Sequence, residues 1–511
     1  MSKLFKATLI VTIFSVITRA FGFLLKIILS RSLTPETLGE YQLAMSIFSV
    51  MLTLIASGLP LIISRKVAYY HANGDTKQAN KATSSGLFIS LLLSIVFSAV
   101  LFLFKDTLVV LFKSKTIGTM LFSLTPALVF SSIYSLLRGA LWGEKRFFAI
   151  SFSEFFEQII RIITLILLFS FPFSMSNGVK ATFSLSIACI FSSILVVIVY
   201  FFTGNKLSSP IKMLKPIVKE SSAITLARTA SSIVTMLISF IIPLRLTTFG
   251  FSHSQAMAEF GIVTGMALPL LTVPGTFISS IAVALVPEIS AQTTNIDKDE
   301  IKDKTFLKSK IATALNCTLV ISFMLVPAFL SLGSPIGEIV FKNSRAGTFI
   351  SAGSVLMIVM GLNQICSSIL NAIGLEIKAL KNYCAGATLL LFCIYFLPRY
   401  IGVMSLVVAM LSMSLVSGIL SLSMLKKRGL LTANLSVNLL KLTIITLITS
   451  GITYFVYKLI ILVLPMFFAC VISGILSLII FFAMCYATNI ATVKFMISTK
   501  LMHFFKIKKT N

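Results

Sequence analysis

The chain has 511 residues, of which 57% are hydrophobic and only 12% are charged, and its mean hydropathy is +1.01. Soluble domains are about 45–50% apolar and about 25% charged, so this composition excludes an ordinary soluble protein and predicts a polytopic membrane protein. The 43 Lys and Arg residues against 16 Asp and Glu give a formal net charge of +27. On a soluble chain that charge would indicate a nucleic-acid partner, so its meaning here depends on where the charges lie.

Fourteen stretches of the chain are apolar enough to cross a membrane, since a spanning helix needs about 20 apolar residues. In chain order these spans 1 to 14 cover residues 7–30, 42–64, 86–104, 119–141, 153–172, 181–203, 221–244, 259–287, 311–330, 348–373, 382–397, 401–424, 437–457 and 466–488. Span 1 lacks a small-residue cleavage site and is too long for a signal peptide, so we expect it to be retained. The longest strongly polar stretch, residues 291–310, is too short for a soluble domain. The sequence therefore predicts an all-α membrane protein.

Most of the basic residues lie on one side of the predicted bundle. With the N-terminus inside the cell, 27 of the 43 fall in cytoplasmic segments, ten fall in outer loops and six fall within spans. Because cytoplasmic loops carry the positive excess, both termini are predicted to be cytoplasmic. The basic excess then sets topology, and no nucleic-acid partner is needed to explain it.

A faint internal repeat predicts the domain organisation. Residues 131–140 at the end of span 4 resemble residues 367–374 at the end of span 10. Because the two spans are six apart, the halves would share one topology, as in transporters built from parallel repeats. We expect an N-lobe of spans 1–6 and a C-lobe of spans 7–12, followed by spans 13 and 14 and a basic cytoplasmic tail, with boundaries at residues 1–204, 205–430, 431–490 and 491–511.

Cysteine and histidine patterns predict neither a metal site nor a cofactor. The seven cysteines lie singly in apolar stretches, and the three histidines are far apart, whereas metal and redox sites show characteristic spacings. The only acid-rich loop, residues 297–303, has as many basic residues around it and is typical of a solvated connector. We therefore expect no catalytic residues, although a membrane enzyme acting on polyprenyl phosphates stays an alternative.

Helix-breaking residues lie in several of the spans and cluster in spans 2 and 8. Gly58 and Pro60 lie in span 2, and Pro269, Pro274 and Gly275 lie in span 8. A single break can be a tolerated kink, and breaks at membrane depth are accommodated where the freed backbone groups face protein or a wet cavity. The cluster in span 8 favours a bent, cavity-lining helix, so these five residues are candidate gating positions.

Charged residues within spans carry the strongest functional signal, because each costs at least about 2.5–3.5 kcal/mol at mid-helix unless it is paired or faces water. Arg19 and Lys26 fall on nearly the same face of span 1, and Arg228 lies about two turns into span 7. A buried carboxylate partner is the alternative for the two cations of span 1. Arg138 lies one turn from the end of span 4, from where its side chain can extend to the interface.

Span 5 carries acidic and basic residues on one face, at Glu154, Glu157 and Arg161. A pair between Glu157 and Arg161 within the helix would leave Glu154 for a cation elsewhere. Arginine binds phosphate through a planar, bidentate fork and stays charged. The excess of cations over anions therefore predicts a cavity that binds a lipid-linked phosphate or diphosphate. Its candidate substrate-binding residues are Arg19, Lys26, Arg138, Glu154, Glu157, Arg161 and Arg228.

Several short motifs recur in a characteristic order between about residues 5 and 425. They are Thr18 to Phe23 with Lys26 and Arg31, Gly39 to Gln42, Ser57 to Pro60 with Ser64, Pro126-Ala127, Arg138-Gly139 with Gly143, Glu157-Gln158 with Arg161, Gly265 to Pro269, Leu285 to Ser290, and Ile369 to Gly374. In their order and spacing they resemble the stage V sporulation protein B family. That family belongs to the multidrug/oligosaccharidyl-lipid/polysaccharide exporter superfamily and includes MurJ-type flippases of lipid II, the peptidoglycan precursor.

The resemblance implies two six-helix lobes around a cationic cavity that opens alternately to each side of the bacterial cytoplasmic membrane. It implies that Arg19 corresponds to an essential cavity arginine, and that spans 13 and 14 form a groove for a polyprenyl tail. The implied partners are a polyprenyl-diphosphate-linked substrate such as lipid II, the lipid bilayer and the cell-wall synthesis machinery. Two other transport functions stay open, a multidrug or cation antiporter and an exporter of another polyprenyl-linked polysaccharide unit.

Overall fold

The computed structural model describes residues 3–112, 114–291, 293–295, 300–301, 304–431 and 434–490. The basic tail expected at residues 491–511 lies outside these described residues, as does most of the acid-rich loop at 297–303.

The first part of the chain forms eleven helices. Their bounds are α1 (Lys3–Ser32), α2 (Pro35–Ala56), α3 (Leu59–Ala72), α4 (Thr76–Leu103), α5 (Lys105–Phe112), α6 (Lys115–Ser123), α7 (Thr125–Gly143), α8 (Phe147–Ser170), α9 (Asn177–Phe202), α10 (Leu214–Thr248) and α11 (His253–Gly261), with a 3₁₀ turn at Ile211–Met213 before α10. Polar side chains cap the N-terminal ends of several of these helices. Thr34 accepts a hydrogen bond from the Thr37 amide at the start of α2, and Asp75 does the same for Gln78 in α4. Such caps satisfy amides that have no partner within the helix.

The second part begins with a π-helical turn at Ile262–Ala267 and continues as helices. Their bounds are α12 (Leu268–Leu271), α13 (Val273–Ala291), α14 (Lys304–Met324), α15 (Val326–Phe341), α16 (Ser344–Gly353), α17 (Leu356–Ala372), α18 (Glu376–Phe396), α19 (Pro398–Ile401), α20 (Met404–Lys427), α21 (Asn434–Ile460) and α22 (Met466–Ala487). Two short strands, β1 (Thr293–Asn295) and β2 (Glu300–Ile301), pair antiparallel after α13.

The all-α, membrane-spanning fold expected from the sequence is confirmed. Within the described residues, twelve helical segments are long and apolar enough to cross a membrane, and the pair α16 and α17, bent by 53°, makes a thirteenth. The 24-residue helix α8 is a further candidate that carries Glu154, Glu157 and Arg161. These helices are consistent with fourteen spans.

Packing divides the chain into two compact units. Unit 1 comprises residues 1–247 and 251–261, and unit 2 comprises residues 248–250 and 262–511. Unit 1 therefore includes α10, which the sequence assigned to the C-lobe, because α10 packs on the α2 and α3 region through Lys66–Glu220 and Thr53–Ser232 contacts. The lobe boundary at residues 204 and 205 stays a prediction.

Each unit has its own apolar core. In unit 1 a cluster from α3, α4, α7, α8 and α9 includes Ile63, Leu136 and Ile150. In unit 2 the largest cluster joins α13, α14, α17, α18 and α20, and smaller ones bind α21 and α22 to α14 and α15. Burying such side chains stabilises the units by packing, because the hydrocarbon around a membrane protein leaves little hydrophobic drive between helices.

Helices α2 and α11 of unit 1 approach each other closely because glycine lies on both. A Cβ atom at Gly39 would overlap the carbonyl oxygen of Met257, and one at Gly261 would overlap that of Pro35. Small residues at such crossings allow backbones to come together. The start of α2 is thereby fixed against α11.

Candidate functional site

Aromatic side chains pack α1 against α8, the helix that carries Glu154, Glu157 and Arg161. Phe14 packs edge to face on Phe148 and Phe155, with ring centroids 5.8 Å apart in both pairs, and Phe21 packs on Phe155 at 5.5 Å. Such edge-to-face pairs add about 0.5–1.5 kcal/mol beyond their buried area. The charged face of α1 is therefore held at a defined angle to α8.

Arg19 and Lys26 lie on one side of α1, next to the face that packs on α8. Both side chains are exposed, and their seven-residue separation places them about 10.5 Å apart along the helix axis. Lys26 is close enough to Arg161 of α8 for the two charges to repel. The α1 cations thus point to the same region as the α8 charges.

The charged residues of α8 form an ion pair with α7 and a hydrogen bond with α2. Arg138 of α7 forms an ion pair with Glu154, with Nη1 and Oε1 2.5 Å apart. Arg161 donates through Nη2 to the hydroxyl of Tyr41 on α2, at 2.7 Å. Glu157 lies between these groups and interacts electrostatically with both arginines.

These contacts show which groups of α7 and α8 meet. Arg138 pairs with Glu154, so Glu154 contacts a cation from another helix. Arg161 directs its hydrogen bond to Tyr41. Lys26, Arg161, Glu157, Arg138 and Glu154 thus form one electrostatically connected group, hereafter the α8 cluster.

Arg228 of α10 joins this region through a cavity of about 230 Å³ that it lines together with Arg138. Its Nη1 donates to the carbonyl oxygen of Ser57 at 2.9 Å, at the break between α2 and α3. Gly58 lies in that break and Pro60 in the first turn of α3. A Cβ at Gly58 would overlap the side chain of Thr225 on α10, so glycine is needed for the close approach.

The candidate gating residues of span 8 belong to unit 2. Pro269 lies in the first turn of α12, and Pro274 and Gly275 begin α13. Gln364 of α17 donates to the Gly275 carbonyl at 3.1 Å and to the Ser279 hydroxyl at 2.6 Å. The Gln364 amide thus joins α17 to the first turns of α13.

The sequence interpretation missed residues whose role depends on contacts between helices. Tyr41 orients Arg161, and Trp142 lines the cavity beside Arg138 and Arg228. Glu40, placed just before span 2 by hydropathy, lies within α2 with 7% of its surface exposed and accepts a 2.5 Å hydrogen bond from Ser114. Only the short motif that contains Glu40 and Tyr41 drew attention to these two positions.

The turn between α7 and α8 holds a buried carboxylate at Glu144. Burial raises the pKa of this carboxyl above its usual value, against the opposing effects of Asn205, His71 and Arg146. Asn205 donates to Glu144 Oε1 at 2.6 Å, and His71 Nε2 lies 3.8 Å from the same oxygen. These contacts join the ends of α3, α7 and α9.

An apolar cavity of about 350 Å³ lies in unit 2 among α14, α15, α17, α20 and α21. Leucine, valine, isoleucine and phenylalanine side chains form most of its wall, with Ser414, Thr443 and Thr446 as the polar exceptions. A wall of this kind is suited to an apolar group. As for metals, no group of three or more His, Cys, Asp or Glu side chains within the described ranges could hold one.

Comparison with known proteins identifies relatives in sequence. Stage V sporulation protein B of Bacillus subtilis (strain 168) is 25% identical over 400 residues, which cover 75% of each chain. Lipid II flippase MurJ of the same organism is 25% identical over 179 residues, or 32% of each chain. The resemblance inferred from the motifs is confirmed.

Solved structures share the fold. Lipid II flippase MurJ in an inward closed conformation matches with a TM-score of 0.71 at 16% identity, over 94% of this chain and 100% of that one. An inward-facing multidrug resistance MATE family transporter of the MOP superfamily matches with a TM-score of 0.62 at 17% identity, over 82% and 95%. The chain therefore shares the fold of these solved structures. Residues 4–293 match the sequence profile of the polysaccharide biosynthesis protein family, and the chain belongs to that family.

Proposed function

We propose that this protein flips a lipid-linked oligosaccharide, and lipid II first of all, across the bacterial cytoplasmic membrane by alternating access. The observation that carries the proposal is the α8 cluster, in which three cationic side chains from α1, α7 and α8 surround two carboxylates. Arg19 and Arg228 extend the positive charge along α1 and α10. A cation excess at membrane depth is costly unless it is paired or faces water, and an anionic ligand would supply the pairing.

The chemistry of that ligand follows from the side chains. Arginine matches the geometry of phosphate oxygens and keeps its charge at any working pH. A diphosphate held by Arg19, Lys26 and the arginines of the α8 cluster would replace Glu154 and Glu157 as the counter-ion. The breaks at Gly58 and Pro60, and at Pro269, Pro274 and Gly275, are the proposed hinges.

The hydrocarbon part of the substrate needs a separate surface. We assign it to the segment of spans 13 and 14, residues 431–490, together with the apolar cavity that α21 lines in unit 2. Burial of each CH₂ group in such a wall contributes about 0.8 kcal/mol when it is taken from water. The expected N-lobe and C-lobe, with both termini in the cytoplasm, provide the alternating access.

The names of the relatives support a transporter and do not support an enzyme. One sequence relative and one structural neighbour are lipid II flippases, and another relative is a sporulation protein. The implied partners are then the lipid-linked substrate, the bilayer and the cell-wall synthesis machinery, with no nucleic acid and no cofactor. Catalytic residues are not needed, because the work is binding and conformational change.

Complementation tests the proposal. In a bacterial strain depleted of its lipid II flippase, the intact protein should restore growth, and Arg19→Ala should not, at equal membrane abundance. Arg399→Gln removes the same charge from an exposed position in unit 2 and serves as the matched control. Failure of the intact, inserted protein to complement would direct the proposal to another polyprenyl-linked unit, and full activity of Arg19→Ala would refute the role of the cationic face.

A cation or drug antiporter is the second candidate, because Glu40 provides a buried carboxylate in α2 with a nearby acidic group at Glu36. Coupled antiporters use membrane-embedded carboxylates for protons or ions. In vesicles, an antiporter would move a cationic dye against a proton or sodium gradient, and Glu40→Gln would abolish that movement. A flippase would show no gradient-driven dye transport.

A further inference from the structure

The cavity at the break between α2 and α3 is a distinct feature of unit 1. It has a volume of about 230 Å³, and its wall includes Ser57, Pro60, Ser135, Arg138, Trp142 and Arg228. At about 30 Å³ per water molecule, it has room for roughly seven waters. Whole small-molecule ligands occupy pockets of about 300–1,000 Å³, so this cavity fits a single small group.

Two guanidinium groups reach this cavity from different helices, and each makes a described hydrogen bond that orients it. Arg228 donates through Nη1 to the Ser57 carbonyl oxygen at 2.9 Å. Arg138 is held by Glu154 through its own Nη1 at 2.5 Å. Because a guanidinium has five N–H donors in a fixed fork, both side chains keep donors for a ligand after making these bonds.

The charges do not cancel within the cavity. Glu154 balances Arg138, but the described contact of Arg228 is with a neutral carbonyl oxygen. Glu220, a carboxylate elsewhere on α10, is bound to Lys66 at 2.7 Å. The wall therefore carries a net positive charge that an anion would neutralise.

Backbone and hydroxyl groups add to this preference. The 14-residue helix α3 begins at Leu59, and its first turn contributes Pro60 and Leu61 to the cavity wall, while its N-cap, Gly58, provides no side-chain cap. Helix N-termini carry partial positive charge and amides that bind anions. The hydroxyl oxygens of Ser57 and Ser135 are buried and have no hydrogen-bond partner among the described residues, so rotation of either side chain would supply another donor.

We propose that this cavity is a binding subsite for one anionic, oxygen-rich group, a phosphate above all, held by Arg228 and Arg138 at the α2–α3 break. The source of the phosphate, a transported lipid or free phosphate, rests on the proposed function, whereas the binding itself does not. The subsite lies on α2, α3, α7 and α10, and Arg138 is the residue that it shares with the α8 cluster.

Trp142 gives a direct readout, because it is the only tryptophan of the chain and lies on the cavity wall. The full-length protein, purified in neutral detergent, is titrated with inorganic phosphate and with diphosphate at constant ionic strength. We expect a saturable change in tryptophan fluorescence. Arg228→Gln should weaken binding at least tenfold, Arg228→Lys should weaken it less, and Arg399→Gln should bind as the unchanged protein does.

Equilibrium dialysis with radiolabelled phosphate on the same samples measures binding independently of fluorescence. Thermal melting of each variant establishes that it is folded. Equal binding by Arg228→Gln and the unchanged protein, or no saturable binding by either method, would overturn the subsite. Bicelles of phosphatidylcholine with and without phosphatidylglycerol identify the source. Competition by the anionic lipid supports a lipid headgroup, and binding unaffected by it supports a free phosphate.

The complementation assay separates this inference from the proposed function. If the intact protein complements the flippase-depleted strain but binds no phosphate at the cavity, the subsite is wrong and the function stands. If phosphate binding depends on Arg228 but the intact protein does not complement, the subsite stands and the assigned substrate is wrong.

Discussion

Variants of the ion pair between Arg138 and Glu154 test whether these charges stabilise the structure or bind the substrate. The perturbation is a cycle of three variants, Arg138→Gln, Glu154→Gln and the double variant. Each single change leaves one charge without the partner that it has 2.5 Å away. The double change removes both charges and leaves two amides of similar size.

The exposure of the two side chains sets the coupling energy that we expect between them. Hydrogen bonds to charged groups contribute about 1.5–3 kcal/mol when buried, whereas exposed pairs contribute about 0–1 kcal/mol. The Arg138 and Glu154 side chains are 39% and 36% exposed, so we expect a coupling energy of about 1 kcal/mol. Each single variant should be less stable than the unchanged protein, and the double variant should recover most of the loss.

The double variant is expected to keep most of its stability and to lose transport. Unfolding in sodium dodecyl sulfate measures the free energy, and complementation of the flippase-depleted strain measures transport. Because Arg138 also lines the cavity with Arg228, the double variant should be stable and still fail to complement. Full transport by that variant would refute the assignment of Arg138 to the substrate-binding region and leave it a structural residue.

Three further changes test separate parts of the structure. Gly39→Ala places a methyl group against the Met257 carbonyl and should destabilise the protein by about 1–3 kcal/mol. The control is Gly451→Ala, because Gly451 has open space around it. In thermal melts this control should be neutral or more stable by up to about 1 kcal/mol. Tyr41→Phe removes the hydrogen bond that orients Arg161 and should lower flipping severalfold in a vesicle assay while the melting temperature changes little. Glu144→Gln should become progressively more stabilising than the native residue as pH rises. The raised pKa of Glu144 means that its contribution to stability is complete below the usual carboxyl range and is lost as pH rises through the raised value. If the difference in melting temperature between Glu144→Gln and the unchanged protein did not vary with pH, the raised pKa of Glu144 would be contradicted.

Hydropathy predicted where helices cross but not where they break. Span 9 was expected at residues 311–330, and the structure has a longer helical segment at 305–341, in which α15 begins next to Pro327. Span 10, expected at 348–373, is the bent pair α16 and α17. Polar residues such as Ser331 lie inside these helices because they contact other helices, here by donating to the Ser450 carbonyl oxygen of α21 at 2.7 Å, and a hydropathy window has no information about such packing.

Relations within one helix could be predicted from spacing, whereas relations between helices could not. The common side of Arg19 and Lys26 and the polar face of α8 follow from 3.6 residues per turn. The bond from Arg161 to Tyr41 joins residues 120 positions apart, and the bond from Arg228 to Ser57 joins residues 171 apart. Such pairs depend on the packing of α2, α8 and α10, which a single sequence does not specify.

The partners of Arg138, Arg161 and Arg228 explain how a cation-rich region is kept both ordered and attractive to anions. Among the described hydrogen bonds of these three residues, Arg161 donates to a neutral hydroxyl, Arg228 donates to a neutral carbonyl oxygen, and Arg138 donates to a carboxylate. Neutral acceptors fix the direction of a guanidinium without cancelling its charge. Preorganised charges of this kind lower the ordering cost of binding. A bundle that paired every arginine with a carboxylate would be as ordered, but it would have little attraction for a phosphate.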